Sequence, residues 1–270
     1  MSKCKTIGII SIKGGVGKTT AVINLASSLA KNYRKNVLVI DANFSSPNIG
    51  LHIGSVNHNT TIHDVLRGKS HINKAIYSTD LGFHYIPASF DGGNNISYGK
   101  LKSKISSLKK HYDYIFLDSS PSINEELGAA ISASDELFVI SSPDLPTLST
   151  TLRAVRLAKD KGMQIRGVIL NKVRGKKYEL TSSDMSRLTG IPVVSILKDN
   201  IKVLEALSHV RPVIFHSPYS PVALGYKKLA ALISGENYAE PSFFRKVYGY
   251  LVDDFNNFKY HKFSNGFKYY

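Results

Sequence analysis

Seven short runs rich in branched and aromatic residues, separated by longer stretches with helical periodicity, constrain the fold of this chain more than any other feature. They are TIGIISI (6–12), NVLVIDA (36–42), HYIPA (84–88), YDYIFLD (112–118), ELFVISS (136–142), IRGVILN (165–171) and VVSIL (193–197). Between the first two, TTAVINLASSLAKNY places Val22, Leu25, Ala26 and Leu29 on one helical face. Strands that are apolar on both faces and alternate with helices predict an α/β fold, a mainly parallel, twisted sheet with helices on both faces. A chain of 270 residues, 43% of them hydrophobic, can build one such domain plus an extension. In sheets of this kind ligands bind beyond the carboxyl ends of the strands. Lys13, Asp41, Asp118 and Asn171 all fall at those ends, which predicts a single site.

The first of those ends carries SIKGGVGKTT (11–20). Gly17, Lys18 and Thr19 fill the closing positions of the phosphate-binding pattern G-x-x-x-x-G-K-[ST]. Glycines let backbone N–H groups approach phosphate oxygens, and the start of a helix adds a favourable dipole. Gly14, Gly15, Val16, Gly17, Lys18, Thr19 and Thr20 are therefore the expected cradle. Lys18 would neutralise β- and γ-oxygens, and the Thr19 hydroxyl would serve Mg2+. The opening position, however, is Ile12 rather than glycine, and beside it stands a second lysine, Lys13.

The pattern K-G-G-x-G-K-[ST], Lys13 to Thr19, resembles the deviant Walker A signature of the MinD/ParA group of P-loop ATPases. The resemblance extends over approximately residues 4–234. VLVIDANFSSPNIG (37–50) is similar to the family's switch I segment, and YDYIFLDSSPS (112–122) to its Walker B and switch II segments. SDELFVISSPDLPTLSTTLRAV (134–155) and GVILNKV (167–173) continue it. The resemblance implies ATP and Mg2+ as cofactors and an ATP-dependent homodimer in which Lys13 crosses to the partner's phosphates. Physically that is an added cation for charge developing in phosphoryl transfer. It also implies that Asp118 holds Mg2+ through water, that Asp41 faces the same metal-water shell, and that the Asn171 amide reads adenine. Lys172, next to it, reads as a surface residue. The family's second aspartate, often assigned to the attacking water, is Asn43 here. An amide can orient water but takes no proton at neutral pH, so slow turnover is expected.

Composition shifts near GENYAEP (235–241), which divides the chain into an ATPase domain (1–235), a linker (236–241) and an amphipathic aromatic tail (242–270). The stretch 241–270 holds eleven of the twenty-seven Phe and Tyr residues. Ser242 can cap a helix that aligns Phe244, Val247, Tyr248, Leu251, Phe255 and Phe258 on one face. The resemblance to MinD-type members implies a membrane-targeting helix, with packing on the body or docking to a partner as the alternatives. One tail should bind a bilayer reversibly, and two on a dimer more firmly.

The net charge of +15 invites an anionic partner, whether membrane or nucleic acid. The last thirty-five residues carry five Lys/Arg against four Asp/Glu, so the excess belongs to the body, concentrated at KLKSKISSLKK (100–110) and NKVRGKK (171–177). Cys4 is the sole cysteine, which excludes an intrachain disulfide and any cysteine-clustered metal site. No apolar run is long enough to span a bilayer and the N-terminus lacks a signal-peptide pattern. The expected location is thus cytoplasmic, peripherally at the inner face of the cell membrane. The leading expectation is a MinD-like switch that positions a protein cargo or regulator, as in cell division. The alternative is a ParA-like ATPase that binds DNA nonspecifically. A bacterial-type tyrosine kinase fits the tail tyrosines only loosely, and iron–sulfur carrier ATPases are disfavoured by the missing C-x-x-C.

Overall fold

The computed structural model describes residues 4–90 and 96–242. In chain order its first half runs β1 (Lys5–Ile10), α1 (Lys18–Tyr33), β2 (Val37–Ala42), α2 (Ile49–Ile53), α3 (Ile62–Leu66), β3 (Tyr77–Ser78), β4 (His84–Ile86), α4 (Leu101–Ser106) and β5 (Tyr114–Ser119). The second half runs α5 (Glu125–Ala133), β6 (Glu136–Ser141), α6 (Leu145–Asp160), β7 (Ile165–Val173), α7 (Ser182–Thr189), β8 (Val193–Lys198), α8 (Lys202–Ser208), α9 (Val213–His216) and α10 (Pro221–Ser234). One sheet orders the strands β3-β4-β2-β5-β1-β6-β7-β8, and every neighbouring pair is parallel except β3 with β4. All seven expected strands are present. The addition is β3, two residues at the sheet edge, too short to leave a pattern.

Side-chain alternation along each strand divides the core into two layers. Ile7, Ile9, Val39, Phe116, Ile140 and Ile169 pack with Leu25 and Leu29 of α1 and with Tyr226 and Leu229 of α10. The opposite face packs in two parts: Leu38, Ile40, Ile115 and Leu117 against α3, α4 and α5, and Ile10, Val139, Val168 and Leu170 against α5, α6 and α7. Val22, Leu25, Ala26 and Leu29 are all buried as their spacing predicts, and so are Ala21 and Ile23, because α1 packs against both the sheet and α10.

The topology sets the position of the site. From β1 the chain crosses by α1 to β2 on one side, and from β5 it crosses back past β1 to β6 on the other. A sheet that reverses its strand order leaves a crevice at the carboxyl ends of the strands flanking the reversal. The register of β2 and β5 then sets Asp41 directly beside Asp118.

Helix α10 stops at Gly235, whose φ of 69° supplies the left-handed cap. Residues 236–242 have no regular structure, but they lie against the body. Glu236 pairs with Lys35 at 2.9 Å, Lys228 pairs with Glu240, and the Lys228 ammonium sits 5.5 Å above the Tyr238 ring. Phe244, Val247, Tyr248, Leu251, Phe255 and Phe258 lie outside the described residues. Among the described residues no helix is long and apolar enough to cross a membrane.

Candidate nucleotide-binding site

The loop between β1 and α1 turns on two glycines in left-handed conformation, Gly15 (φ 72°) and Gly17 (φ 99°), which residues with a Cβ adopt only under strain. Ideal Cβ atoms on Gly14 and Gly15 would meet nothing within 4 Å, so the loop faces open space. The backbone N–H groups of residues 14–19 find no acceptor among the described residues. A turn of unpaired N–H groups at a helix start is an anion cradle.

Lys18 opens α1, with only 8% of its surface exposed, and its Nζ lies 3.5 Å from Lys13 O. Burial lowers its pKa and the Asp118 carboxylate opposes that shift. The Thr19 hydroxyl donates to Asp118 Oδ2 at 2.6 Å, while Asp118 Oδ1 is buried without a hydrogen-bond partner. Asp41 accepts three backbone N–H groups, from Asn43 at 3.1 Å, Asn48 at 3.0 Å and Ile49 at 3.1 Å. Its carboxylate therefore gathers the switch-like segment 43–49 onto the end of β2. Burial pushes both carboxyls up, Asp41 further because Asp118 adjoins it; backbone N–H groups oppose the rise at Asp41, Thr19 and Lys18 at Asp118. Two adjoining buried carboxyls and a hydroxyl, with one oxygen unpaired, form the all-oxygen donor set that suits Mg2+.

Asn43 is 4% exposed. Its Nδ2 donates to Ser46 O, and its Oδ1 is buried without a partner. Lys13 does not enter the cradle. Its ammonium lies 2.5 Å from Thr147 Oγ1 and 3.4 Å from Asp144 Oδ1, at the start of α6. Burial raises the Asp144 carboxyl, but hydrogen bonds from Ser142 and Thr147 and the charge of Lys13 outweigh it and hold the group at about 2. Asn171 Nδ2 donates to Val16 O at 2.8 Å. Beside it opens a pocket of about 470 Å³ lined by Gly17, Thr20, Asn171, Arg174, Asp199 and Tyr226, among others. Thr20 therefore faces this pocket.

The sequence-predicted loop residues 14–20, with Asp41, Asp118 and Asn171, thus lie together at the ends of β1, β2, β5 and β7, whereas the Lys13 side chain turns away to the start of α6. Three participants escaped the sequence reading. Asp144 and Thr147 carry a legible capping signal, Asp followed by Pro146 and Thr147, but nothing local ties them to Lys13. Lys172 reads as surface and is exposed, yet its Nζ donates to Gly15 O at 2.8 Å.

Comparison with known proteins agrees with this geometry. The family described as an AAA domain matches residues 4–162. An uncharacterized ATP-binding protein of Methanocaldococcus jannaschii is 32% identical over 86% of this chain and 88% of its own. The chromosome partitioning protein ParA of Caulobacter vibrioides is 31% identical over 84% of this chain and 92% of its own. The septum site-determining protein MinD of Pyrococcus horikoshii, solved with Mg-ADP, superimposes with a TM-score of 0.80 at 27% identity, covering 85% of this chain and 96% of that one. The chain belongs to the MinD/ParA family of P-loop ATPases. A MinD neighbour solved with Mg-ADP supports a nucleotide and Mg2+ as ligands of this site, and the unpaired N–H groups and the orphaned Asp118 oxygen suit both.

Proposed function

We propose that the protein is a MinD-like ATPase whose two copies pair face to face across bound ATP, each lending Lys13 to the other's phosphates. The observation that carries this reading is the placement of Lys13. Its half-exposed ammonium stands off its own cradle on Asp144 and Thr147, while Lys18 occupies the cradle's floor. A surface ion pair of this kind is worth about 0.2–1 kcal/mol, so exchanging it for a partner's triphosphate is energetically cheap. The cradle's N–H groups and Lys18 bind phosphate oxygens, Asn171 and the adjoining pocket take adenine, and Thr19, Asp118 and Asp41 hold Mg2+ and its water shell. Mg2+, when bound, neutralises charge between the β- and γ-phosphoryl groups. Asn43 orients the attacking water through its unpaired Oδ1 without accepting a proton, which makes hydrolysis slow and the ATP dimer long-lived.

Residues 1–235 form the ATPase unit, 236–241 the linker, and 242–270 the element that brings the dimer to the inner face of the membrane, where it positions partner proteins. Sedimentation with anionic liposomes in ATP and in ADP, comparing the full chain with a truncation after Gly235, tests this. ATP-dependent pelleting of the full chain alone is expected; equal pelleting of both would overturn the membrane assignment. The second reading, nonspecific DNA binding of the ParA type, is favoured by exposed Lys100, Lys102, Lys110, Lys176 and Lys177 in the two basic stretches. Salt-sensitive, ATP-dependent DNA retardation by the truncated chain would select it.

A further inference from the structure

Successive side chains of a strand point to opposite faces, so Asn171 and Lys172 near the end of β7 would ordinarily diverge. Instead both reach the same loop, Asn171 Nδ2 to Val16 O and Lys172 Nζ to Gly15 O, each at 2.8 Å. The convergence depends on a left-handed backbone at Lys172, φ 59°. Among the described residues two other non-glycine positions have positive φ, Arg34 and Val210, and each closely follows the end of a helix, where that conformation is usual. Lys172 ends no helix. It lies inside a strand and adopts a conformation that opposes its own Cβ.

We infer that Lys172 is a positioning residue that braces the phosphate cradle from outside. In a trans peptide the C=O and N–H groups point in opposite directions, and no cis peptide occurs among the described residues. The Gly15 carbonyl shares a peptide with the Val16 N–H, and the Val16 carbonyl shares one with the Gly17 N–H. Holding those two carbonyls outward holds those two N–H groups inward, toward the phosphate space. The glycines that make the turn possible also leave its peptides free to rotate, since glycine accepts both signs of φ. Donors on β7, a strand paired on both sides by β6 and β8, remove that freedom before any ligand arrives. Asn171 orients the 16–17 peptide and Lys172 the 15–16 peptide before it.

The inference rests on the nucleotide reading above, and two measurements separate their failures. The first is Mg-ADP binding by calorimetry. The second is the 15N relaxation order parameters of the Val16 and Gly17 amides without nucleotide. Lys172→Gly removes the ammonium while tolerating positive φ, so its thermal midpoint should match or exceed the parent's. It should nonetheless bind ADP about ten-fold more weakly, the range expected for one charge-assisted hydrogen bond, and show lower order parameters at both amides. Lys172→Arg, which keeps a cationic donor, should recover most of both. The brace is overturned if the two amides of the glycine variant are as ordered as the parent's, including the case where only its ADP affinity falls, which would be charge attraction alone. A parent that binds no ADP overturns the nucleotide reading, and the order-parameter comparison still decides the brace.

Discussion

Replacing Asn43 by aspartate restores the residue type that the family resemblance places at the attacking water, and the structure indicates what that change costs. The Asn43 Nδ2 donor to Ser46 O disappears, although Ser46 O keeps the Asn48 Nδ2 donor at 2.7 Å. That loss is worth about 1 kcal/mol. A new carboxylate, 4% exposed and two residues from Asp41, must also be buried, which adds roughly 1–3 kcal/mol. The nucleotide-free variant should therefore be about 2–4 kcal/mol less stable, lowering its thermal midpoint by about 2–4 °C per kcal/mol for a domain of this size. Its turnover should move the other way. A carboxylate can take the water's proton, so steady-state phosphate release at saturating Mg-ATP should rise by about ten-fold or more. The gain should vanish on acidification as the new carboxyl is protonated. A variant that unfolds normally in Mg-ATP yet turns over within two-fold of the parent would refute the assignment of Asn43.

Gly17→Ala places a Cβ 2.5 Å from Asn171 Nδ2 on a backbone at φ 99°; it should cost about 1–2 kcal/mol of stability and weaken Mg-ADP binding in calorimetry by displacing the amide that seats Val16 O. Asp144→Ala removes the cap of α6, whose side chain accepts the Thr147 N–H at 2.8 Å, and should lower stability at neutral pH by about 0.5–2 kcal/mol. Because Asp144 is held at about 2 when folded, against an ordinary value near 4, its contribution is complete above that ordinary value and is lost as pH falls toward 2. Acid unfolding followed by circular dichroism should accordingly be shallower across that interval in the variant.

The fold was legible because burial on both faces leaves an unbroken apolar run, as in YIFL of β5, which no amphipathic helix would carry. Strand ends then located Asp41 and Asp118 from spacing alone, since a parallel sheet brings its carboxyl ends together. The loop glycines were legible because backbone conformation restricts the residue type. What escaped detection depends on long-range contact. Lys172 looks like any basic residue after a strand until its φ and its bond to Gly15 are known. Thr147 and Asp144 announce a helix start, but only packing of α6 beside the β1 loop brings them to Lys13. The edge strand β3 has two residues, a single period of strand alternation and too few to read as a pattern.

The central claim is that triphosphate and Lys13 together make the dimer. Light scattering coupled to size exclusion measures it directly, with the full chain in Mg-ATP, in Mg-ADP, and as Lys13→Ala in Mg-ATP. The Lys13 ion pair is exposed and worth under about 1 kcal/mol to the fold, so the variant should remain folded and still bind nucleotide. The account predicts a mass near twice that of one chain for the parent in Mg-ATP and a single-chain mass in both other samples. A parent that stays single in Mg-ATP, or a Lys13→Ala variant that pairs as readily as the parent, would contradict it.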